Sequence, residues 1–574
     1  MDNRDYARVL EEIASLMQIK GANQFRVRAF ENAARTIEST AESIEARIDS
    51  GDVTELKGIG DGIASQLRQI RQRGTCDDHQ RLIDELDEGL LDLLDIQGLG
   101  PKRIQKIYEQ LGITGLDELR KAAEDGRIAS LSGFGAKTQQ TIIDEIERLA
   151  DRAGRIPLPR ADAIARSIRD QLVDIDGVDT IEVAGSLRRQ QETIGDVDLL
   201  VATEDPEPIH RRLAELVEVA DVLVTGETKT SVRLQNGVQV DVRTVEPGVF
   251  GSALHYFTGS KEHHVELRTR AKQRGLKINE YGVFQIDADS PIASRSEQQL
   301  YEALDLDFIP PELRQGRDEI AAAEHGELPT LVDADQLRGD LHMHTTETDG
   351  RASIEEMARA GASRGYEYIA ITDHSRAVRV ADGMTADRFA DQIDEVRRVD
   401  DRVDDIRILS GIEVDILDDG TLDMDHELLA RCDWVVASIH SQFNQDSDVM
   451  TRRILDAIDT GLISCLGHPT GRILGGRDGY SYDFDAVVDA AADADVALEL
   501  NGSSGRLDLN AALARRAHQR GAALVIGSDA HSTNGLDAIR FGVGQARRAG
   551  LEAPSIGNCQ SADELLASVG KRGQ

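Results

Sequence analysis

The sequence predicts a multidomain protein with an α-helical N-terminal region, an α+β middle and a C-terminal distorted (β/α)7 barrel. Three observations carry that expectation. The 574 residues exceed what one hydrophobic core organises, and the length suggests roughly three to five domains. A glycine motif recurs three times between positions 56 and 135. Further along, carboxylates first alternate with apolar residues, and then histidines and carboxylates stand at the ends of successive apolar segments.

Bulk properties narrow the class. Hydrophobic residues make up 40% of the chain, which excludes a disordered protein, and aromatic residues only 4%, which predicts small aliphatic cores. Apolar runs stay below the roughly 18 residues a membrane helix needs, and Met1–Asp5 carries no secretory h-region, so a soluble cytoplasmic protein is expected. Cys76, Cys432, Cys465 and Cys559 lie far apart with no C-x-x-C pair, which speaks against a disulfide or zinc-finger framework. Acidic residues outnumber basic ones 104 to 66, for a net charge of −38, and no Lys occurs between Lys277 and Lys571. Such a surface suits hydration in concentrated salt, so a halophilic cytoplasm is expected. It also opposes a broad basic footprint for nucleic acid, so DNA binding has to come from local chemistry.

Residues 1–50 read as two or three amphipathic helices, with apolar positions at Val9, Ile13, Leu16 and Met17, then Phe25, Phe30, Ala34 and Ile37. The repeated motif follows as Leu56–Gly60, Ile96–Gly100 and Leu131–Gly135, each an apolar residue, a spacer and Gly-apolar-Gly before a helical segment. This is a helix-hairpin-helix signature. The glycines Gly58 and Gly60, Gly98 and Gly100, Gly133 and Gly135 permit a tight turn, and the next helix offers free N–H groups to a phosphate. Three copies at similar spacing favour binding of the DNA backbone without basic side chains.

The break Ile156-Pro157-Leu158-Pro159 opens the middle region, with an amphipathic helix and then a strand ending near Gly185-Ser186. Asp196 and Asp198 alternate with apolar residues, so on a strand both face one side; Asp241 sits in a second alternating stretch. Three converging carboxylates form a hard oxygen cage suited to Mg²⁺, and with a nucleotide's phosphates they could hold two ions, one for a 3′-hydroxyl and one for leaving pyrophosphate. Gly185-Ser186 would supply donors to a triphosphate.

Gly185-Ser186, Arg189, Gly195-Asp196-x-Asp198 and Asp241 resemble the palm of family X DNA polymerases, the group that includes DNA polymerase beta. Tyr256–Ser260 is similar to the family's sugar-pocket segment, and Ile278–Tyr281 to its thumb. The resemblance covers about residues 1–310. It implies a lyase-like DNA-binding domain at 1–90, fingers at 91–150, a nucleotidyltransferase palm at 151–250, a thumb at 251–310 and a linker at 311–338. It further implies that Asp196, Asp198 and Asp241 hold two catalytic Mg²⁺ or Mn²⁺ ions. Ser186, Arg189, Gly195 and Arg160 would hold the triphosphate, with Tyr256, Phe257 and Gly259 at the sugar and His264 and Arg268 nearer the base. The family's lyases carry a Schiff-base Lys after the first hairpin, whereas Asp61–Leu67 has none, so imine-based lyase activity is expected to be absent or weak. Lys261 and His264 also depart from the animal enzymes, which leaves sugar discrimination open.

From residue 339 apolar strands alternate with helices over about 230 residues, the pattern of a parallel barrel. Its strand ends carry His342, His344, Asp349, His374, Glu413, His440, His468, Asp529 and His531. Strand C-termini of such a barrel share one face, so these nine would meet in one cleft. Mixed His and carboxylate donors favour Mn²⁺, Zn²⁺ or Fe²⁺, and the set suffices for roughly three ions with one bridging carboxylate. Arg376, Arg379 or Arg472 are candidates for a substrate phosphate. The nine positions closely resemble the metal-ligand set of the PHP (polymerase and histidinol phosphatase) domain, here at 339–574.

Together the resemblances imply a gap-filling DNA repair polymerase with a 3′–5′ exonuclease or 3′-end phosphoesterase, acting as a monomer on gapped or primer–template DNA with deoxynucleoside triphosphates. Three rival readings are a DNA-docked PHP phosphoesterase with a weak or inactive polymerase core, a small-molecule phosphatase and, least favoured, a non-enzymatic scaffold.

Overall fold

A computed structural model describes residues 3–38, 44–56, 58–86, 89–96, 99–135, 137–143 and 154–569. Contacts divide the chain near residue 153 into an N-terminal unit and a larger unit beginning at Gly154.

The N-terminal unit is helical. Helices Asn3–Ile19, Gln24–Glu38 and Ile44–Ser50 precede Asp61–Arg73, Asp77–Leu86, Pro101–Leu111 and Leu116–Glu124. One apolar cluster runs from Tyr6 through Leu67 and Ile104 to Ile142, so the regions expected at 1–90 and 91–150 share a core. Only helices with a wide apolar stripe allow that arrangement, and Tyr6, Leu10, Ile13 and Leu16 at three- and four-residue spacing supply one.

The larger unit contains two sheets that matter for chemistry. Short strand β1 (Ile156–Pro157) pairs with β3 (Thr193–Ile194). Strands β2 (Val178–Val183), β4 (Asp196–Thr203), β5 (Val219–Thr225), β6 (Lys229–Leu234) and β7 (Gln239–Val245) form a five-stranded sheet in the order β2-β4-β7-β6-β5. Its central pair, β4 and β7, is parallel, with Asp198 opposite Asp241. Val197 and Leu199, alternating with the carboxylates, are buried against Leu158, Ala161, Ala165 and Ile168 of the helix Leu158–Leu172. The hairpin β8 (Leu276–Asn279) and β9 (Gly282–Gln285) follows the helices Phe250–Thr258 and Lys261–Gln273.

Seven strands then pair in sequence order, all parallel: β10 (Gly339–Asp340), β11 (Tyr368–Ile371), β12 (Arg407–Asp415), β13 (Trp434–Ser438), β14 (Cys465–Leu466), β15 (Ala497–Asn501) and β16 (Leu524–Gly527). A bridge from Met343 to Ala530 joins the segments after β10 and β16, which nearly closes the barrel. Strands buried on both faces read as continuous apolar runs, as Tyr-Ile-Ala-Ile and Trp-Val-Val-Ala do here.

Residues 311–338, expected to be a linker, are packed instead. They hold the helix Glu319–His325, and Leu313, Ala323 and Leu331 join Leu267, Tyr301, Leu304 and Ile309 in one cluster. Val332 and Leu337 enter the barrel core. Arg314 is fully buried, paired with Glu297 at 2.6 Å and lying over Tyr301 and Phe308. An Arg-, Glu- and Ala-rich composition looks solvated when these long-range partners are unknown.

Candidate functional site

In the middle region, strand alternation and the parallel β4–β7 register bring Asp196, Asp198 and Asp241 together, with a carboxylate oxygen from each within 4.8 Å of the others. The crowding shows in Asp198, whose carboxyl is pushed up to about 7 by burial first and then by Asp196 and Asp241. Burial also raises the Asp241 carboxyl, but hydrogen bonds from Lys229, Gln239 and Ser231 outweigh it and leave the group below its ordinary value. Lys229 Nζ lies 2.5 Å from Asp241. Three hard oxygen donors that repel one another in this way fit divalent cations.

Gly185 turns the chain beside this cage with φ +60°, and a Cβ there would fall 2.1 Å from Asp198 Oδ2, so only glycine lets the turn approach. Ser186 lies in the single helical turn Gly185–Arg188 that follows. Arg189 donates to the Thr258 carbonyl, and a Cβ at Gly259 would come within 2.8 Å of its guanidinium. Arg188 grips Glu297 and donates to the Thr258 hydroxyl at 2.7 Å. Tyr256 stacks on His264, whose Nε2 donates to the Tyr256 carbonyl at 2.9 Å, while Arg268 lies over the Tyr256 ring. Phe257 packs edge-on against Tyr256 and under Arg243. Burial, above all, lowers the His264 imidazole to about 4, so it is neutral near pH 7. Gly195 borders Arg155, and Arg160 stands exposed in the first turn of its helix. Sequence reasoning thus located the turn and the aromatic pair, and missed Lys229, Arg188 and Glu297. Nothing in their local pattern separates them from surface charges.

At the barrel mouth all nine candidate ligands converge. His344, Asp349, His374 and His531 form one cluster, His342, His344 and Asp529 a second, and His374, Glu413 and His440 a third. His468 Nε2 lies 2.9 Å from Glu413, so this carboxylate at the centre touches His374 (2.8 Å), His440 (3.4 Å) and His342 (3.5 Å) as well. The buried Nε2 atoms of His342 and His344 make no hydrogen bond, and His344 Nε2 stands 3.3 Å from Asp529. Donors of that kind about 3.4 Å apart are spaced as ligands around a shared ion. The donor set therefore fits a divalent metal cluster. His468 and Asp529 hold φ of +30° and +54°, a region β-carbon residues rarely occupy, and such strain concentrates at functional sites.

An outer layer orients these ligands. His342 Nδ1 donates to Glu499 at 2.7 Å and His440 Nδ1 to Asp415 at 3.0 Å, which fixes each ring and leaves Nε2 for the cluster. Asn501 bridges Glu499 and Asp529, and Arg506 lies 3.6 Å from Asp529. None of these four was expected. Of the proposed phosphate cations, Arg472 is engaged elsewhere: it donates to Glu192 at 2.7 Å and to the carbonyls of Arg506 and Leu507. Arg376 and Arg379 are exposed.

In the N-terminal unit the three motifs share one bonding pattern. The N–H groups of Ile59, Leu99 and Phe134 donate to the carbonyls of Leu56, Ile96 and Leu131 at 3.0–3.1 Å, and Ala64, Ile104 and Gln139 donate back to Gly60, Gly100 and Gly135. Gly58 and Gly133 hold φ of +94° and +87°; Gly98 lies outside the described residues. Gly60 and Gly100 cap their helices in extended conformation, and a Cβ at either, or at Gly135, would meet no atom within 4 Å. The helix N-termini behind them are open to an anion.

Family models match along the chain in this order: a helix-hairpin-helix domain at 1–76, a SAM-like helix-hairpin-helix tandem at 90–148, a DNA polymerase beta palm at 155–241, a DNA polymerase beta thumb at 253–315 and a PHP domain at 340–503. The DNA polymerase/3′-5′ exonuclease PolX of Bacillus subtilis (strain 168) is 38% identical over 569 residues, 99% of each chain. The chain belongs to the family X DNA polymerases. Smaller relatives match part of this family X chain: a probable phosphatase of Vibrio atlanticus, 29% identical over 42% of this chain and 96% of its own length, and one of Thermoanaerobacter sp. (strain X514), 29% identical over 35% and 81%. The palm and barrel centres are thus parts of one family architecture.

Proposed function

We propose that this chain fills short gaps in DNA through its palm and trims or dephosphorylates 3′ ends through its barrel. The observation that carries the reading is the coexistence of two groups of candidate metal ligands, three carboxylates in the palm and the histidine-rich set in the barrel, in a chain that matches a polymerase/exonuclease over 99% of its length.

In the palm, Asp196, Asp198 and Asp241 would hold two Mg²⁺ or Mn²⁺ ions, which supply Lewis acidity to a primer 3′-hydroxyl and to the triphosphate. Attack of the 3′-oxygen on the α-phosphorus releases pyrophosphate. Ser186 and Arg189 orient the triphosphate from the turn beside Asp198, and Tyr256 and Phe257 offer the sugar an apolar wall backed by His264, neutral near pH 7. In the barrel, the nine ligands would hold Mn²⁺, Zn²⁺ or Fe²⁺, which activate water for attack on phosphorus. Glu499 and Asp415 keep the His342 and His440 rings in the ligating tautomer. The hairpin N-termini grip the DNA backbone through N–H groups, which suits a chain of net charge −38.

We further propose a monomer working in a salt-rich cytoplasm. No helix among the described residues is long and apolar enough to cross a membrane. With Asp61–Leu67 lacking Lys, 5′-deoxyribose-phosphate removal by imine chemistry is expected to be absent or weak, and borohydride should trap little or no adduct. The direct test is a gapped duplex with a labelled primer and Mg²⁺ or Mn²⁺ in molar salt. The primer should lengthen when deoxynucleoside triphosphates are present and shorten when they are withheld. A primer that never lengthens removes the polymerase reading, and one that never shortens removes the nuclease reading.

A further inference from the structure

The palm turn that carries Ser186 and Arg189 is held from behind by the barrel. The barrel helix Ile539–Ala549 sends Phe541 into the palm core beside Leu158, Leu187 and Val197, together with Leu507 from the loop after β15. Around that plug, Arg540 pairs with Asp162 at 2.6 Å and Arg472 with Glu192 at 2.7 Å. At the other end of the helix, the bonds reach the turn's own backbone. Arg548 Nη1 donates to the Arg189 carbonyl at 2.5 Å, and Gln545 Nε2 donates to the Gln190 carbonyl at 3.0 Å. Gln545 is fully buried and Arg548 nearly so; burial, its largest influence, lowers the Arg548 guanidinium to about 10. Gln190 has φ +53°, and a Cβ at Gly544 would come 2.6 Å from its side-chain oxygen, so helix and turn meet without a gap.

The turn is closed by main-chain bonds from Arg188 to Ala184, Arg189 to Gly185, Gln190 to Leu187 and Gln191 to Ser186, and both Gly185 and Gln190 lie in the left-handed region. Its far side is tied to Thr258 by Arg188 and Arg189. Its near side meets the barrel through Leu187, packed in one cluster with Phe541, and through the Arg189 and Gln190 carbonyls, whose bonds to Arg548 and Gln545 do not depend on the identity of the turn's side chains.

We propose that Gln545 and Arg548 are positioning residues for nucleotide binding in the palm, through which the barrel helix sets the geometry of the Gly185–Gln191 turn. The role is separate from the barrel's metals and rests on the reading of the palm as a polymerase with Ser186 and Arg189 at the triphosphate. Triphosphate affinity then depends on a helix of the other catalytic domain, because a bound phosphate chain demands placement to a fraction of an ångström.

The test uses the full chain carrying Gln545→Met or Arg548→Met, which conserve bulk while removing the donors, with Arg548→Lys as the conservative variant. On a gapped duplex, KM for the incoming nucleotide should rise about ten-fold in each Met variant with kcat changed far less, the signature of lost ground-state placement. Removal of 3′ nucleotides by the barrel should stay within about two-fold of the parent, and Arg548→Lys, which keeps a donor for the Arg189 carbonyl, should recover most of the KM. An unchanged KM in both Met variants overturns the proposal. So does a parallel loss of both activities that Arg548→Lys fails to relieve, since that is what a purely structural helix would give. Asp198→Asn separates the underlying reading from this one: extension that survives it would refute the polymerase assignment itself, whatever the Met variants do.

Discussion

Single residues show where the chain holds charge against its own folding. Asp198 is raised from 3.8 to about 7 by burial together with Asp196 and Asp241. A carboxyl raised on folding binds its proton more tightly in the native state, so stability of the metal-free protein falls as pH climbs from about 4 to about 7 and is level above. In chelator at pH 8, Asp198→Asn should therefore stabilise the protein by about 1–3 kcal/mol while abolishing extension. A lower melting temperature for the variant in chelator would show that the carboxylates do not repel. Arg314 presents the opposite case. It is fully buried on Glu297 between Tyr301 and Phe308, and Arg314→Ala should cost about 3–5 kcal/mol in denaturant unfolding, because Glu297 loses one of its two cations in a dry setting.

At the scale of elements, the hairpins make the sharpest prediction. Gly60 and Gly100 sit at helix N-caps with room for a side chain, and Asp is a favourable N-cap. Gly60→Asp and Gly100→Asp should leave the melting temperature unchanged or slightly raised, yet weaken DNA binding about ten-fold each, since a carboxylate then occupies the phosphate position. Equal affinity in a filter or anisotropy titration would mean that the hairpins do not hold the DNA backbone. The same elements explain what was legible in the sequence. Alternation put Asp196 and Asp198 on one face, parallel strands carried the nine barrel ligands to one rim, and the glycine repeats marked the hairpins, because each pattern is local. Glu499 and Asp415 escaped notice because they gain meaning only from His342 and His440, which follow other strands of the barrel. Residues 311–338 were misread for the same reason: Arg314 looks solvated until Glu297, Tyr301 and Phe308 are beside it.

Over the whole molecule, the net charge of −38 sets a background that both activities share. Self-repulsion is screened by salt, so the melting temperature should rise by about 5 °C or more as KCl goes from about 0.1 M to about 2 M. A fall over that range would refute the halophilic reading. The larger unit also joins two chemistries with different donor sets, three carboxylates in the palm and a histidine-rich cluster in the barrel. If each centre performs its own reaction, the two can be switched off separately. The most direct measurement is product length from a labelled gapped duplex, comparing Asp196→Ala with Asp198→Ala in one variant and His342→Ala with His344→Ala in another. The first pair should abolish extension and retain 3′ shortening; the second should abolish shortening and retain extension. Loss of both activities in either variant, or of neither, would contradict two independent metal centres in one chain.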